Sequence, residues 1–441
     1  MVTLLRDLIA GAIVLGVLVL LHEWGHFIVA KWCGVRVEVF SVGFGPRIWG
    51  KKKGNTDYRL SALPLGGYVR MAGDNPVEER SGAPDEFLSR PRWQRFLVVI
   101  AGPIVNIVLA FLILWGVYAG FGVPFDAYLD QAPTVAAVPQ GATTAVQPGD
   151  RILKVGGTAT PTWGTVLSVL AKAGPNSSVS LDIERGGAQQ TLTAKIPSGQ
   201  STADGVTGYP EIPCVIERVE PGYPAKNAGM QPGDQILSLN GQAIVTWPQM
   251  VDGIQRSAGA PVHFVVRRDG KEVPLEITPK QSLDPDNGQM TWVIGASRPT
   301  KNVYHTEGFS AAIKDAAAKT VSFAQSDKDV IVWLFRGKLS IVHDLAGPVG
   351  IVQFSGQAAQ QGPAIFLVWM AFISLDLGLL NLLPIPLLDG GHVLMFAIEG
   401  TLRRDLSIAF KERFVQVGIV FILALFAIVM YGDILRAFQS R

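Results

Sequence analysis

Two histidines four residues apart flank a glutamate in His22-Glu23-Trp24-Gly25-His26. On a helix, residues four apart share a face, so both imidazoles can reach one ion. Zinc suits them: it is redox-inert and accepts imidazole nitrogen at about 2.0–2.1 Å. Glu23 stands beside His22 and reaches a water at such a site without ligating the metal, which is the position of a general base. A catalytic zinc takes a third protein ligand and keeps one position open. Far along the chain, Asn381-Leu382-Leu383-Pro384-Ile385-Pro386-Leu387-Leu388-Asp389-Gly390-Gly391 holds one carboxylate in an apolar run, and Asp389 is the candidate for that ligand. The chemistry these residues suit is metal-assisted hydrolysis of a carbonyl compound.

The histidine motif lies inside an apolar stretch from about Leu8 to Val35. Three more such stretches follow, near Phe96–Phe121, Ala364–Leu383 and Phe414–Tyr431, each close to the roughly 20 residues that cross a bilayer. Charged residues are 17 % and apolar ones 48 %, with mean hydropathy +0.30, so the chain divides between lipid and water. A cleaved signal peptide would end in small residues after its apolar core. Here the core runs into Leu21-His22-Glu23 and resumes, as a retained helix does. Ionisable groups in a membrane helix cost roughly 2.5–3.5 kcal/mol each, so three together need a compensating role. That role is either the metal or a polar cluster between helices. Pro384 and Pro386 free backbone groups that are acceptable only where they line a polar cavity.

Basic residues from Lys31 to Arg95 crowd the segment between the first two stretches, and Arg403, Arg404, Lys411 and Arg413 follow the third. By the positive-inside rule both segments are cytoplasmic, the N-terminus and residues 122–362 are external, and the metal motif lies toward the cytoplasmic side. Net charge is only +2, with no long basic block outside the membrane flanks, so nucleic acid is not an expected partner. Cys33 and Cys214 fall on opposite sides of the membrane, and no disulfide is expected between them.

The external region is punctuated by Gly and Pro between short β-branched runs. It contains a repeat: Ala145-Val146-Gln147-Pro148-Gly149-Asp150-Arg151-Ile152-Leu153 is echoed by Gly229-Met230-Gln231-Pro232-Gly233-Asp234-Gln235-Ile236-Leu237. The offset of about 84 residues is the length of a domain, not of a solenoid unit. The two copies resemble tandem PDZ domains of the bacterial protease-associated type. Such domains either bind extended peptides at a sheet edge or exclude large substrates by bulk. An amphipathic segment at 305–340 either lies on the outer membrane surface or packs against the PDZ pair. Between Arg36 and Arg70, alternation and turn glycines suggest a β-hairpin, either folded partly into the membrane or resting on its surface as a loop.

Together, His22-Glu23-Trp24-Gly25-His26 and Asn381 through Gly391 resemble the site-2 protease family of intramembrane zinc proteases. The resemblance implies a polytopic α-helical membrane protein with four transmembrane helices, a membrane-associated β-hairpin and two external β-rich PDZ domains. Its expected parts are 1–35 (first span), 36–92 (β region), 93–121 (second span), 127–205 and 206–298 (PDZ), and 305–340 (amphipathic segment). The third span is expected at 363–392, a cytoplasmic connection at 393–413 and the fourth span at 414–432. The resemblance further implies His22, His26 and Asp389 as Zn2+ ligands and Glu23 as general base. Asn381 matches an asparagine that holds the substrate strand, with Asp376 and Asn106 as further substrate-side residues. Asn106 closes a second family signature, Gly102-Pro103-Ile104-Val105-Asn106. Asp376 departs from the asparagine usual there and loses two amide donors. Implied substrates are single-span membrane proteins such as trimmed anti-sigma factors, and remnant signal peptides, in the bacterial inner membrane. Two other classes compete. A membrane-tethered PDZ scaffold without chemistry has no need of four intact site residues. A metal transporter would be built from two related halves, and the spans show none.

Overall fold

The computed structural model describes residues 2–74, 82–140, 142, 145–173, 176–196, 204–220, 222–283, 290–299, 302–305, 308–337, 342 and 345–439. They form two compact units, one of Met1–Val123 with Thr306–Phe438, the other built on Pro124–His305.

The helices of the first unit are α1 (Val2–Trp32), α2 (Arg92–Gly120), α3 (Phe309–Phe335), α4 (Pro348–Gln360), α5 (Pro363–Asn381), α6 (Asp389–Leu402) and α7 (Ile408–Gln439). Four of them, α1, α2, α5 and α7, are long and apolar enough to cross a membrane. Large apolar side chains face outward on α1 (Leu4, Leu8, Ile9, Ile13) and on α7 (Val417, Val420, Phe421, Leu423), as a lipid solvent requires. Between helices, small residues bring backbones together, because lipid supplies no hydrophobic drive for helix association. A Cβ at Gly25 of α1 would lie 2.7 Å from the Ala101 carbonyl oxygen of α2, and one at Gly378 of α5 would lie 3.0 Å from that of Pro103.

Two segments differ from expectation. Over the described part of 305–340, α3 packs by its alanine face against α2 within the first unit. Ala312 and Ala316 of α3 are fully buried in a core shared with Ala110 and Leu114 of α2, and Phe309 meets Trp115 edge-on at 4.8 Å between ring centroids. A face of alanines lets α3 sink to that depth. The third span also stops short of 392. It ends at Asn381, and the turn with Pro384 and Pro386 intervenes before α6 opens at Asp389. Residues 393–402 of the expected connection are helical and continue α6. The short helix α4 is held by α7, whose Asp433 carboxylate accepts from the N–H groups of Gly347 (3.0 Å), Val349 (2.9 Å) and Gly350 (3.2 Å). A carboxylate at a helix N-terminus satisfies otherwise orphaned donors and opposes the macrodipole.

After α1 the chain forms strands β1 (Val37–Lys53) and β2 (Thr56–Met71). Both fold back on themselves, so Val39–Val42 is flanked by Gly67–Arg70 on one side and Asp57–Leu60 on the other. The Gly67–Met71 stretch is an outer edge, paired with no further strand among the described residues. That edge runs along α1: Cβ atoms at Gly66 and Gly67 would meet Val19 (2.8 Å) and Leu20 (3.5 Å).

The second unit holds two similar four-stranded sheets. One runs in the order Thr158–Ala159, Arg151–Val155, Ser178–Arg185, Ala188–Lys195. The other runs Gln242–Ala243, Gln235–Leu239, Val262–Arg268, Lys271–Ile277. Each carries one ten-residue helix, Trp163–Lys172 or Trp247–Arg256, and its own apolar core. The repeated Pro-Gly-Asp turns need glycine: Gly149 and Gly233 both have φ of 91°. The aspartate of each turn is buried and clamped by an arginine. Arg185 donates to both Asp150 oxygens at 2.7 Å, and Arg268 donates to both Asp234 oxygens at 2.7 and 2.6 Å. Burial pushes these carboxyls up, but the guanidinium and a backbone N–H (Gln147 or Gln231) outweigh it and hold both below the usual carboxylate range.

Candidate metal centre

Three side chains from two distant parts of the chain meet between α1, α2 and α6. His22 Nε2 lies 3.0 Å from Asp389 Oδ2 and 3.2 Å from His26 Nε2, and His26 Nε2 lies 3.5 Å from Asp389 Oδ2. Both histidines are buried, at 6 % and 8 % exposure. The α1 periodicity aligns them. Asp389 is delivered by the proline turn, where Leu387 adopts a left-handed φ of 79° that a branched side chain enters only under strain. At the far end of α6, fully buried Glu399 accepts from Lys411 Nζ (2.7 Å) and the Leu406 N–H (3.1 Å), with Arg95 at 3.8 Å. This network fixes the helix that carries Asp389. Removing one partner of such a buried pair costs roughly 3–5 kcal/mol.

Gly102 of α2 decides whether a metal fits. A Cβ there would stand 2.8 Å from His22 Nε2 and closer still to His26 Nε2. The missing side chain thus leaves open a place within bonding reach of both imidazoles, beside the Asp389 carboxylate. Two nitrogens and one oxygen with a fourth side open is a donor set that suits catalytic zinc. His26 is oriented for it: its Nδ1–H donates to the Val98 carbonyl at 2.8 Å, which leaves the Nε2 lone pair facing inward.

A cavity of about 520 Å³ opens beside the three residues, and Glu23, Val69, Asp74, Asn381, Leu387 and His392 are among its walls. The outward N–H groups of the Gly67–Met71 edge face it. Val69 N–H donates to Glu23 Oε2 at 3.1 Å, and Met71 N–H donates to Asp74 Oδ2 at 2.9 Å. Asn381 lines the cavity, but two other expected substrate contacts do not. Asp376 turns toward α3, where its carboxyl lies beside that of Asp327. Asn106 is fully buried behind the histidines, its Nδ2 3.3 Å from His22 Nδ1. The reason for the first is geometric: at about 100° per residue, Asp376 and Asn381 point about 140° apart. Sequence reasoning missed the space at Gly102, the Val98 carbonyl and Asp74. Only Gly102 had a signal, its place in Gly102-Pro103-Ile104-Val105-Asn106.

Comparison with known proteins covers almost the whole chain. A protein of Vibrio cholerae, provisionally named a zinc metalloprotease, is 33% identical over 461 residues, 99% of this chain and 100% of that one. Regulator of sigma-E protease RseP of Escherichia coli is 31% identical over 459 residues, again 99% and 100%. Regulator of sigma E protease of Haemophilus influenzae is 31% identical over 446 residues, 96% and 97%. The model for peptidase family M50 matches residues 10–425, a span that takes in most of α1, the larger part of both units and over half of α7. With its histidine motif and its aspartate-bearing turn both inside that match, the chain belongs to peptidase family M50, the site-2 proteases.

Proposed function

We propose that this protein hydrolyses peptide bonds within the transmembrane segments of single-span membrane proteins, with His22, His26 and Asp389 holding zinc and Glu23 as general base. Family membership makes the chain a membrane metalloprotease, and its metal is zinc. The observation that carries the residue roles is the meeting of three ligating side chains around the space left by Gly102, with Glu23 on the adjoining cavity wall.

Zinc, when bound, polarises a carbonyl and lowers the pKa of water. Glu23 receives the proton of the attacking water and returns it to the leaving amine. A transmembrane helix hides its carbonyls in internal hydrogen bonds, so it must unwind locally, and unwound backbone in lipid needs new partners. The Gly67–Met71 edge supplies them by strand addition, with the Asn381 amide on the other side of the extended segment. A substrate carbonyl that takes the Val69 N–H also frees the Glu23 carboxylate now bound there, so docking and base release coincide.

The two β-rich folds, 127–205 and 206–298, are read as PDZ domains that exclude substrates with a bulky external part. Both flanks of Trp247–Arg256 are already engaged by the chain itself. Tyr209 donates to Asp252 at 2.7 Å, and Gln255 exchanges hydrogen bonds of 2.8 and 3.0 Å with the Trp292 backbone. That favours exclusion over peptide capture beside this helix. Two relatives are named regulators of sigma-E; with the family resemblance, this reading takes trimmed anti-sigma factors as the substrate class and remnant signal peptides as a second, in a bacterial inner membrane. On this reading the PDZ pair is external and the metal centre lies toward the cytoplasmic side.

Cleavage of a model single-span substrate by the purified protein, with and without a zinc chelator, tests the reading. Glu23→Gln should lower cleavage roughly 10²–10⁴-fold with one zinc still bound, whereas Asp389→Ala should lose the zinc. Loss of zinc from Glu23→Gln would mean that the roles are wrong. Cleavage that ignores the chelator would sink the zinc mechanism, and absence of cleavage in both arms would leave the scaffold alternative standing.

A further inference from the structure

Asn106 sits one helical turn beyond Gly102 on α2, behind the metal centre and off the cavity. Its side chain is 0 % exposed, and its backbone carbonyl accepts from Ser374 Oγ at 2.8 Å, which pins it between α2 and α5. Its Nδ2 is 3.3 Å from His22 Nδ1, while its Oδ1 is buried with no hydrogen-bond partner.

With its nitrogen toward Nδ1, the amide can donate only to the His22 tautomer that carries its proton on Nε2, the atom 3.0 Å from Asp389. That tautomer has no lone pair on Nε2 for a metal. His26 is already in the opposite state, with its proton given from Nδ1 to Val98 and Nε2 free. For His22 to match it, the proton must move to Nδ1, and Nδ1 then needs an acceptor. The only side chain hydrogen-bonded to Nδ1 among the described residues is Asn106, and its unused atom is an acceptor. A half-turn of the amide exchanges oxygen for nitrogen in nearly the same volume.

We propose that Asn106 is a positioning residue for His22: its Oδ1 accepts the Nδ1 proton when metal is bound, fixing Nε2 as the ligand atom, and its amide turns over when metal leaves. The proposal rests on the zinc reading above. It assigns different devices to the two histidines. The carbonyl at Val98 serves one tautomer of His26, whereas an amide that can turn serves both tautomers of His22. His22 is thus the ligand that adjusts as the metal comes and goes, without leaving a buried donor facing a donor.

The test is zinc affinity by chelator competition in detergent, together with the melting temperature of the zinc-free protein. Asn106→Leu removes the acceptor at similar volume and should weaken zinc binding roughly 10–100-fold. Asn106→Asp keeps an acceptor toward Nδ1 and should stay within about threefold of wild type. Asn106→Ser, whose oxygen is too short to reach, should behave like the leucine variant and keeps the contrast measurable if leucine prevents folding. A purely structural role for Asn106 would lower the zinc-free melting temperature of all three variants and leave zinc affinity alone. That pattern, or equal loss of zinc from the aspartate and leucine variants, would overturn the proposal. A wild-type protein that binds no zinc would instead sink the metal reading on which it stands.

Discussion

Gly102→Ala adds one methyl group where the structure has least room for it. The new Cβ would lie 2.8 Å from His22 Nε2 and nearer to His26 Nε2, against ordinary contacts of 3.4–4 Å, so His22 alone must retreat by about 0.6 Å. Zinc–ligand lengths tolerate only about ±0.2 Å. Withdrawing the rings with their helix would open the close packing of Gly25 on the Ala101 carbonyl of α2. Altering a group that merely orients a ligand costs roughly 10–100-fold in metal affinity, and displacing two ligands should cost at least about 100-fold, or ~2.7 kcal/mol. Overpacking adds a destabilisation of about 1–3 kcal/mol. The assay is zinc content and chelator competition on purified protein, with substrate cleavage alongside. Gly116→Ala on the same helix is the control, since its Cβ would meet nothing within 4 Å, and it should keep zinc and activity. Stoichiometric, wild-type-tight zinc in Gly102→Ala would falsify the placement of the metal beside this glycine.

Other perturbations separate the remaining elements. Deleting about residues 127–297 should permit cutting of substrates whose external domain is intact and preserve cutting of trimmed ones; unchanged selectivity would end the filter idea. Asp376→Asn puts an amide donor against Asp327 in place of a second carboxyl, and should stabilise the chain by about 1 kcal/mol without changing kcat/KM. A fall in kcat/KM would return Asp376 to the substrate site. Asp150 and Asp234 are held below the usual carboxylate range, so the stability they contribute is complete above the ordinary aspartate pKa and drains away as pH falls through their lowered values. Hydrogen exchange of the Pro124–His305 region in the full chain should therefore show acid opening, and Asp234→Asn should flatten its pH slope; an unchanged slope would exclude Asp234 as its source.

The parts of the site that could be read from sequence are those set by local geometry. Four-residue spacing on an apolar helix places His22 and His26 together whatever surrounds them, and a lone aspartate among prolines and leucines stands out by composition. The tandem repeat was legible for the same reason, since each Pro-Gly-Asp turn demands its own glycine. What stayed hidden depends on partners far along the chain. Asp376 looks like a substrate contact beside Asn381 until helix rotation turns it to Asp327, a residue of a helix whose alanine-rich face gives weak periodic signal. Asn106 could be placed near the site by family likeness, but which atom of His22 it meets is a property of how α1 and α2 cross. The helix α4 has small residues and no strong apolar stripe, and its N-terminal cap comes from Asp433, 84 residues beyond Val349.

The two β-rich copies are alike inside and different at one seam. Their interiors have kept one plan: the same turn, the same buried aspartate and the same arginine clamp. Their matching threonines have parted ways. Thr162 caps its own helix, exchanging hydrogen bonds with Thr165. Thr246 has given up that task; its hydroxyl donates to the Pro210 carbonyl at 2.6 Å and accepts from the Ile212 N–H at 3.1 Å, stitching down the segment that joins the copies. The two copies are an ordered pair, in which the second copy depends on the chain arriving from the first. Swapping the copies in a chimera would preserve each interior and lose the seam between them.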